Sequence, residues 1–423
     1  MLVERLFGEE ADILYDRSLQ LLFGANAIAV LGVALLSPIL DSLTGPYGVS
    51  ASDIGLFVTA IAFPAIFLIP VGGVLADRYG RKPLLLIGLL LFGGAGAAVG
   101  LTTDFRIALA LRFFQGVGMS AMFPSIVSSL RDLFDDAQEA TAQGLRVGVS
   151  GTSQALFTTL AGFLVVIAWQ YPFMIYALAI PVAILVFIFL EEPMNNGEQE
   201  PSNTDAPGFL AYIADVGSIL FQRRVAAILF AHTLGFFALF TFMTYNSLIV
   251  IRAAGGGPRE AGLVVAIFSI VYAGVATQAG RITTRFATRT KPMLLSNVLI
   301  GLGLCIFALA PHSAVAGAGA AVLAGGVGIV APLYRSLISG FAPEKLRGAI
   351  VSVGEALGWV AVTTSPIVIG LSISRFEATI GTARSLQLTI LTAGISIGIL
   401  GVLTVLYAAQ APRTAEERAL DNT

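Results

Sequence analysis

Charged residues are scarce in this sequence, at 12% of 423 residues, whereas soluble domains average about 25%. Water cannot solvate so apolar a surface, so a soluble protein is excluded. The formal net charge of −2 argues against nucleic-acid binding. The single cysteine excludes an intramolecular disulfide, and two widely separated histidines offer no metal or catalytic cluster. We therefore expect no enzyme activity, no cofactor and no metal site.

Long apolar runs are abundant instead. Hydrophobic residues make up 56% of the chain, and its mean hydropathy is +0.87. Runs of about 20 apolar residues recur, each long enough to cross about 30 Å of hydrocarbon as a helix. The runs are continuous rather than alternating, which favours helices over a barrel. The sequence therefore predicts an all-α integral membrane protein whose immediate surroundings are the lipid bilayer. We predict twelve spans, at 18–40, 53–76, 83–101, 105–128, 142–167, 171–190, 225–250, 261–281, 291–310, 314–338, 347–371 and 387–409.

Charge and repetition predict how these spans are arranged. With both termini on the cytoplasmic side, most of the 24 lysine and arginine residues lie inside, as the positive-inside rule requires of a cell-membrane protein. A Leu-Arg pair followed by a polar residue and Ala-Leu occurs at 145–156 and again at 346–357, which indicates a duplicated six-helix unit. We predict a bundle over 1–190, a cytoplasmic linker with an amphipathic helix over 191–224, and a second bundle with a short tail over 225–423.

One short polar turn stands between the second and third apolar runs. Its marked positions are Gly73, Asp77, Arg78, Gly80, Arg81 and Lys82. This pattern resembles the signature loop between helices 2 and 3 of the major facilitator superfamily of secondary transporters. The resemblance implies two pseudo-symmetric six-helix bundles that rock against each other.

The same turn is a candidate latch for the cytoplasmic side. The Asp77 carboxylate suits the positive start of span eleven, and the arginines suit the acids Asp132, Asp135 and Asp136 below span four. The alternative is that the cations serve only to hold the loop inside.

A buried arginine marks span four. Arg112 and Gln115 lie three residues apart, on one helix face. With Gly116 they resemble the helix-four motif that the superfamily links to proton coupling, so Arg112 is a proton-coupling candidate and Gln115 a cavity candidate. The alternative is a structural arginine that snorkels or binds backbone carbonyls.

Glu355 is the acid placed well inside a predicted span. Burial would raise its pKa and let it carry a proton near neutral pH. Trp359 shares its helix face, and Gln154 occupies the equivalent position in the first repeat. The alternative is a solvated or salt-bridged Glu355 near the inner surface.

Other polar residues within spans are candidates for a central cavity, although neighbouring helix carbonyls satisfy most such groups. His232 is expected to be structural, and Asp41 and Asp53 to be solvated caps at the outer mouth. The remaining cavity candidates are Asn26, Tyr245, Asn246, Tyr272 and Tyr334.

These features predict a monomeric secondary active transporter that works by rocker-switch alternating access. We expect proton-coupled efflux of a neutral or lipophilic small molecule. The region 151–162 lacks the proline of the helix-five signature common in drug/proton antiporters, so a proton-coupled uptake permease remains the alternative. A non-transporting membrane receptor on the same frame is a third class, disfavoured by the absence of an extended soluble segment.

Overall fold

The computed structural model describes residues 13–192, 216–283, 285–286, 288–340 and 344–410. Within these ranges the chain is helical and contains no strand, and twelve helices are long and apolar enough to cross a membrane. We number these helices spans 1 to 12. They are Arg17–Ala34, Leu56–Gly73, Arg81–Val99, Phe105–Leu133, Thr141–Ile167, Tyr171–Phe189, Arg223–Ala253, Pro258–Thr283, Thr290–Ala308, Ser313–Ile338, Ile350–Ile380 and Thr382–Gln410.

Several of these helices extend beyond, or break within, their spans. The helices that carry spans 2, 5, 10 and 11 run over Leu56–Tyr79, Asp136–Ile167, Ser313–Gly340 and Glu344–Ile380. Span 1 comprises Arg17–Ala29 and Leu31–Ala34, and a separate helix follows at Leu40–Tyr47. Span 6 comprises Tyr171–Met174, a 3₁₀ turn over Ile175–Leu178 and Ala179–Phe189. Span 7 is helical over Arg223–Leu248 and ends in a π turn, Ile249–Ala253.

The predicted spans are therefore right in number and nearly right in position. The predicted first span, 18–40, is the exception, because the helix breaks at Val30 and the chain turns over 35–39 before the next helix. Of the predicted linker, 193–215 lies outside the described residues, and 216–220 is helical.

The twelve spans form two bundles. Span 4 packs against spans 1, 2 and 3 in the first, and span 9 packs against spans 10 and 12 in the second. The bundles meet along two seams, where span 5 packs on span 8 and span 2 packs on span 11. We call the end where span 1 begins and span 12 ends the near end, and the opposite end the far end.

The seams are tight at the far end. The Thr59 hydroxyl of span 2 donates to the Thr363 carbonyl of span 11 at 3.0 Å, and the Ser247 N–H of span 7 donates to the Ser37 carbonyl at 3.3 Å. A Cβ added to Gly370 of span 11 would lie 2.5 Å from the Ser52 carbonyl oxygen. Backbone therefore meets backbone across the two bundles at this end.

The near end is more open. A Cβ added at Gly73 of span 2, Gly148 of span 5 or Gly274 of span 8 would meet no atom within 4 Å. A cavity of about 250 Å³ separates spans 2 and 4 from span 11 at this end. The structure is therefore closed at the far end and open at the near end.

Candidate functional site

Two of the cavities have aromatic side chains of the second bundle in their lining. The cavity between spans 2, 4 and 11, which we call the mouth cavity, is bordered by Gly73, Ser128, Ser352, Glu355 and Trp359, among others. Glu355 and Trp359, one helical turn apart, thus line one cavity, as their spacing predicts. Both side chains are half-buried, so Glu355 lies at an opening between the bundles.

A second, smaller cavity lies among spans 7, 8 and 10. It has a volume of about 70 Å³ and is lined by His232, Phe236, Tyr272 and Tyr334 together with aliphatic side chains. The His232 ring meets Phe236 at 4.9 Å and Tyr334 at 5.5 Å between centroids. We call this the aromatic pocket.

The aromatic pocket also lies close to the mouth cavity. A Cβ added to Gly358 would lie 3.3 Å from the Phe236 ring, and Trp359 follows Gly358 directly in span 11. The sequence predicts Tyr272 and Tyr334 as cavity residues and His232 as a structural residue. The place of His232 in the pocket is visible only once spans 7, 8 and 10 are assembled.

Arg112 occupies a different place. It is fully buried in the first bundle and contributes to neither cavity. Its guanidinium donates to the Gly32 carbonyl at 2.6 Å, to Gln115 Oε1 at 2.5 Å and to the Tyr176 hydroxyl at 3.2 Å. Gln115 is likewise buried beside it rather than in a cavity.

These contacts match the structural alternative for Arg112, a side chain bound to backbone carbonyls. Gly32 and Leu31 lie just after the break in span 1, in the short helix Leu31–Ala34. The Tyr176 hydroxyl donates to the Leu31 carbonyl at 3.2 Å. Arg112 and Tyr176 thus bond the two carbonyls that follow the break in span 1.

Four further candidates contact neighbouring helices. Asn26 donates to Ser150 Oγ at 2.8 Å, Tyr245 to the Pro366 carbonyl at 2.9 Å, and Asn246 to the Ala261 carbonyl at 2.9 Å. All three are fully buried and line neither cavity. Gln154 is half-buried between the bundles, with its Nε2 4.0 Å from the Met243 sulfur.

The signature loop is built around Gly80. Its φ of +96° separates the helix Leu56–Tyr79 from span 3, a conformation that glycine adopts without steric cost. Arg81 Nε bonds Asp132 Oδ2 at 2.9 Å, as the sequence predicts. The Arg78 side chain is exposed, and that of Asp77 lies outside the described part of the structure.

Glu192 is a partner of the signature loop that the sequence does not reveal. Its carboxylate accepts the N–H groups of Arg81 at 2.7 Å and Lys82 at 3.2 Å, and so caps the start of span 3. A Cβ on Gly80 would lie 2.7 Å from Glu192 Oε2. The end of span 6 is therefore attached to the signature loop, at a separation in sequence that no local motif reveals.

The expectation that Asp41 is a solvated cap at the outer mouth is wrong. The Asp41 side chain is 13% exposed and forms an ion pair with Arg252 of span 7. Burial raises the pKa of the Asp41 carboxyl above its ordinary value, and the neighbouring Arg252 charge opposes that rise.

Two bundles of six membrane helices, packed along two seams and open at one end, define the class of alternating-access membrane carriers. The profile of the Major Facilitator Superfamily matches residues 22–255 and 228–421. The chain belongs to the Major Facilitator Superfamily, and it is a membrane transporter.

Curated relatives match part of the chain. Quinolone resistance protein NorA of Staphylococcus aureus is 27% identical over 164 residues, which is 38% of this chain and 42% of NorA. Multidrug resistance protein 1 of Bacillus subtilis is 26% identical over 195 residues, 46% of this chain and 50% of that protein. The match therefore spans about half or less of each relative.

Solved structures match nearly the whole chain. A bacterial homologue of the human lysosomal transporter Spinster, in an inward-facing and unoccupied conformation, has a TM-score of 0.78 at 15% identity and covers 94% of this chain and 98% of its own. A D-xylose-proton symporter has a TM-score of 0.73 at 17% identity, with 95% and 98% covered. At these identities the likeness establishes the fold alone.

Proposed function

We propose that this transporter exports a neutral or lipophilic small molecule in exchange for protons by rocker-switch alternating access. One observation carries the proposal: the two bundles are closed at the far end and open at the near end, with an ionisable side chain and an aromatic surface at the opening. A compound that enters from the near end would meet Glu355 and Trp359 first, and the aromatic pocket behind Phe236.

The lining of these cavities favours a neutral or lipophilic substrate. The aromatic pocket offers stacking surfaces and one imidazole, with no fixed charge among its lining residues. Such a surface favours apolar or aromatic groups and disfavours polyanions. The names of the two curated relatives, which refer to quinolone and multidrug resistance, support export of drug-like compounds.

The near end is proposed to be the cytoplasmic end. Arg17, Arg78, Arg81 and Lys82 lie there, and the positive-inside rule assigns such an end to the cytoplasm. Both termini would then be cytoplasmic, in a plasma-membrane protein. Each chain carries both bundles, so we propose that a monomer is the working unit, with residues 191–224 as the linker between bundles over 1–190 and 225–423.

The proton role is assigned to Glu355. Glu355 lines the cavity between spans 2, 4 and 11, where rocking would change its exposure to water. A carboxyl that is wet in one conformation and dry in the other binds its proton with different strength in the two. That difference is what couples a proton gradient to the motion. The signature loop around Asp77, Arg78 and Arg81 is proposed to latch the near end when it closes.

Purified protein in liposomes tests the proposal. With an imposed pH gradient, a fluorescent lipophilic aromatic dye should move against its own concentration gradient. Glu355→Gln should abolish this driven movement while leaving dye exchange without a gradient intact. Glu139→Gln, an acid near the same end that lines neither cavity, is the matched control.

The possible results separate the components of the proposal. Driven movement that persists in Glu355→Gln would refute the proton role of that residue. Dye accumulation together with inward protons, rather than against them, would favour an uptake permease, the alternative that the missing proline at 151–162 keeps open. No protein-dependent dye movement would refute the substrate class.

A further inference from the structure

The far end holds a polar cluster that joins the two bundles. On one side are Ser37 and the helix Leu40–Tyr47, which comes after span 1; on the other is the end of span 7. The Asp41 N–H donates to Ser247 Oγ at 3.0 Å, and Arg252 Nη2 donates to Thr44 Oγ1 at 3.2 Å. Arg252 Nε also binds the Asp41 carboxylate. We call Asp41, Thr44, Ser247 and Arg252 the far gate.

A π turn aims Arg252 at this cluster. The helix of span 7 changes at Ile249 from α to π geometry, and the Ala254 N–H bonds the Ile249 carbonyl at 2.9 Å. Such a turn accommodates one extra residue and rotates the last part of the helix, and π turns are frequent at functional sites. Here the rotated residue is the cation that crosses to the other bundle.

The two members of the ion pair are not equivalent. The side chain of Asp41 is 13% exposed and that of Arg252 is 28% exposed, so the carboxylate depends more on its partner. Removing one member of a pair with limited exposure leaves the other charge without compensation, which is far more costly than neutralising both. Arg252 is the cation that faces Asp41 from span 7; Asp53, Arg259 and Glu260 at the same end have described contacts with other groups.

We infer that Arg252 is the essential member of the far gate, because its charge compensates the half-buried carboxylate of Asp41 between the bundles. Arg252 is then a positioning residue that sets the balance between near-open and far-open forms. This inference rests on the rocking motion proposed above, but not on any substrate or proton role.

A distance measurement across the far mouth tests it. Spin labels are placed on cysteines at Thr103 and His312, exposed positions before spans 4 and 10, in a Cys305→Ser background. The parent should show mainly the short distance of the closed far end at pH 7.5. Arg252→Gln should raise the ratio of long to short distances about tenfold or more.

Partner variants distinguish the charge effect from general damage. Asp41→Asn should change the ratio less than about twofold, because the charge it leaves without a partner is the more exposed Arg252. Asp41→Asn with Arg252→Gln should resemble Asp41→Asn, since neither variant leaves the less exposed Asp41 charge uncompensated. Arg252→Lys should stay closed. Acidification should close Arg252→Gln again by protonating Asp41. Arg384→Gln, an exposed cation of the far end, is the matched control and should behave as the parent.

Two results would overturn the inference. One is an unchanged distance distribution in Arg252→Gln. The other is opening in Asp41→Asn as large as in Arg252→Gln. The distances are read without substrate or gradient, so a failure of dye transport in liposomes leaves this test unaffected.

Discussion

Substituting Gly370 by alanine should open the far end through steric contact alone. The new Cβ would lie 2.5 Å from the Ser52 carbonyl oxygen of the other bundle, about 1 Å short of the 3.4 Å at which ordinary contact begins. The obstacle is backbone, so it cannot turn aside as a flexible side chain would. Overpacking of this kind costs about 1–3 kcal/mol. Only the far-closed form carries that cost, because the contact joins the two bundles, and the far-open population should rise about 5- to 150-fold.

The assay is the rate at which a membrane-impermeant maleimide labels a reporter cysteine from the far side. Thr59→Cys in a Cys305→Ser background serves as the reporter, because Thr59 lies on the seam between spans 2 and 11. Gly370→Ala should raise the labelling rate in proportion to the far-open population. Gly274→Ala, with no atom within 4 Å of the added Cβ, should not. Equal rates in Gly370→Ala and the parent, with both proteins folded, would refute the reasoning.

Three further outcomes are expected. Gly80→Ala should lower the melting temperature by a few degrees, because alanine resists a φ of +96° and would crowd Glu192; Gly73→Ala, with open space around it, is the comparison, and equal melting would contradict this account. Asp77→Asn should increase labelling of cysteines introduced at near-side positions in a Cys305→Ser background if the signature loop latches that end, and unchanged labelling would reject the latch. The pKa of Asp41 is raised in the closed far gate. The closed form is therefore favoured when the pH is below the ordinary pKa of the Asp41 carboxyl, and it becomes less favoured as the pH rises through the raised pKa. Spin-label distances measured against pH in the parent and in Asp41→Asn, which should lose this dependence, test the sign.

The architecture was predictable because lipid imposes it. The thickness of the bilayer fixes the length of each apolar run. Once twelve such runs are counted, few folds other than a bundle of membrane-spanning helices fit the sequence. The break in span 1 was not predictable in this way. Residues 30–39 are mostly apolar, so hydropathy alone continues the helix across them. The side chains that bond the Leu31 and Gly32 carbonyls, Tyr176 and Arg112, come from other helices.

The contents of the site were harder to predict than the spans. An apolar helix in lipid has no polar face to show which side looks inward, so Tyr245 and Tyr272 were equivalent candidates in sequence. Only packing separates them: Tyr245 binds a backbone carbonyl in span 11, while Tyr272 lines the aromatic pocket. Asp41 and Arg252 are 211 positions apart and each resembles an ordinary charged residue at a helix end.

The composition of the far gate bears on how easily the protein changes conformation. The polar contacts described there are one ion pair and a few hydrogen bonds, each of which contributes about 1 kcal/mol when water can replace it. When the far end opens, water forms hydrogen bonds with these groups, so hydration offsets part of the free energy lost with the contacts. The close backbone approach at Gly370 contributes dispersion over a small area, which alanine would remove. A seam of this kind is closed by several weak contacts of comparable size. Its equilibrium can therefore be shifted by a single uncompensated charge at Asp41 or a single methyl group at Gly370.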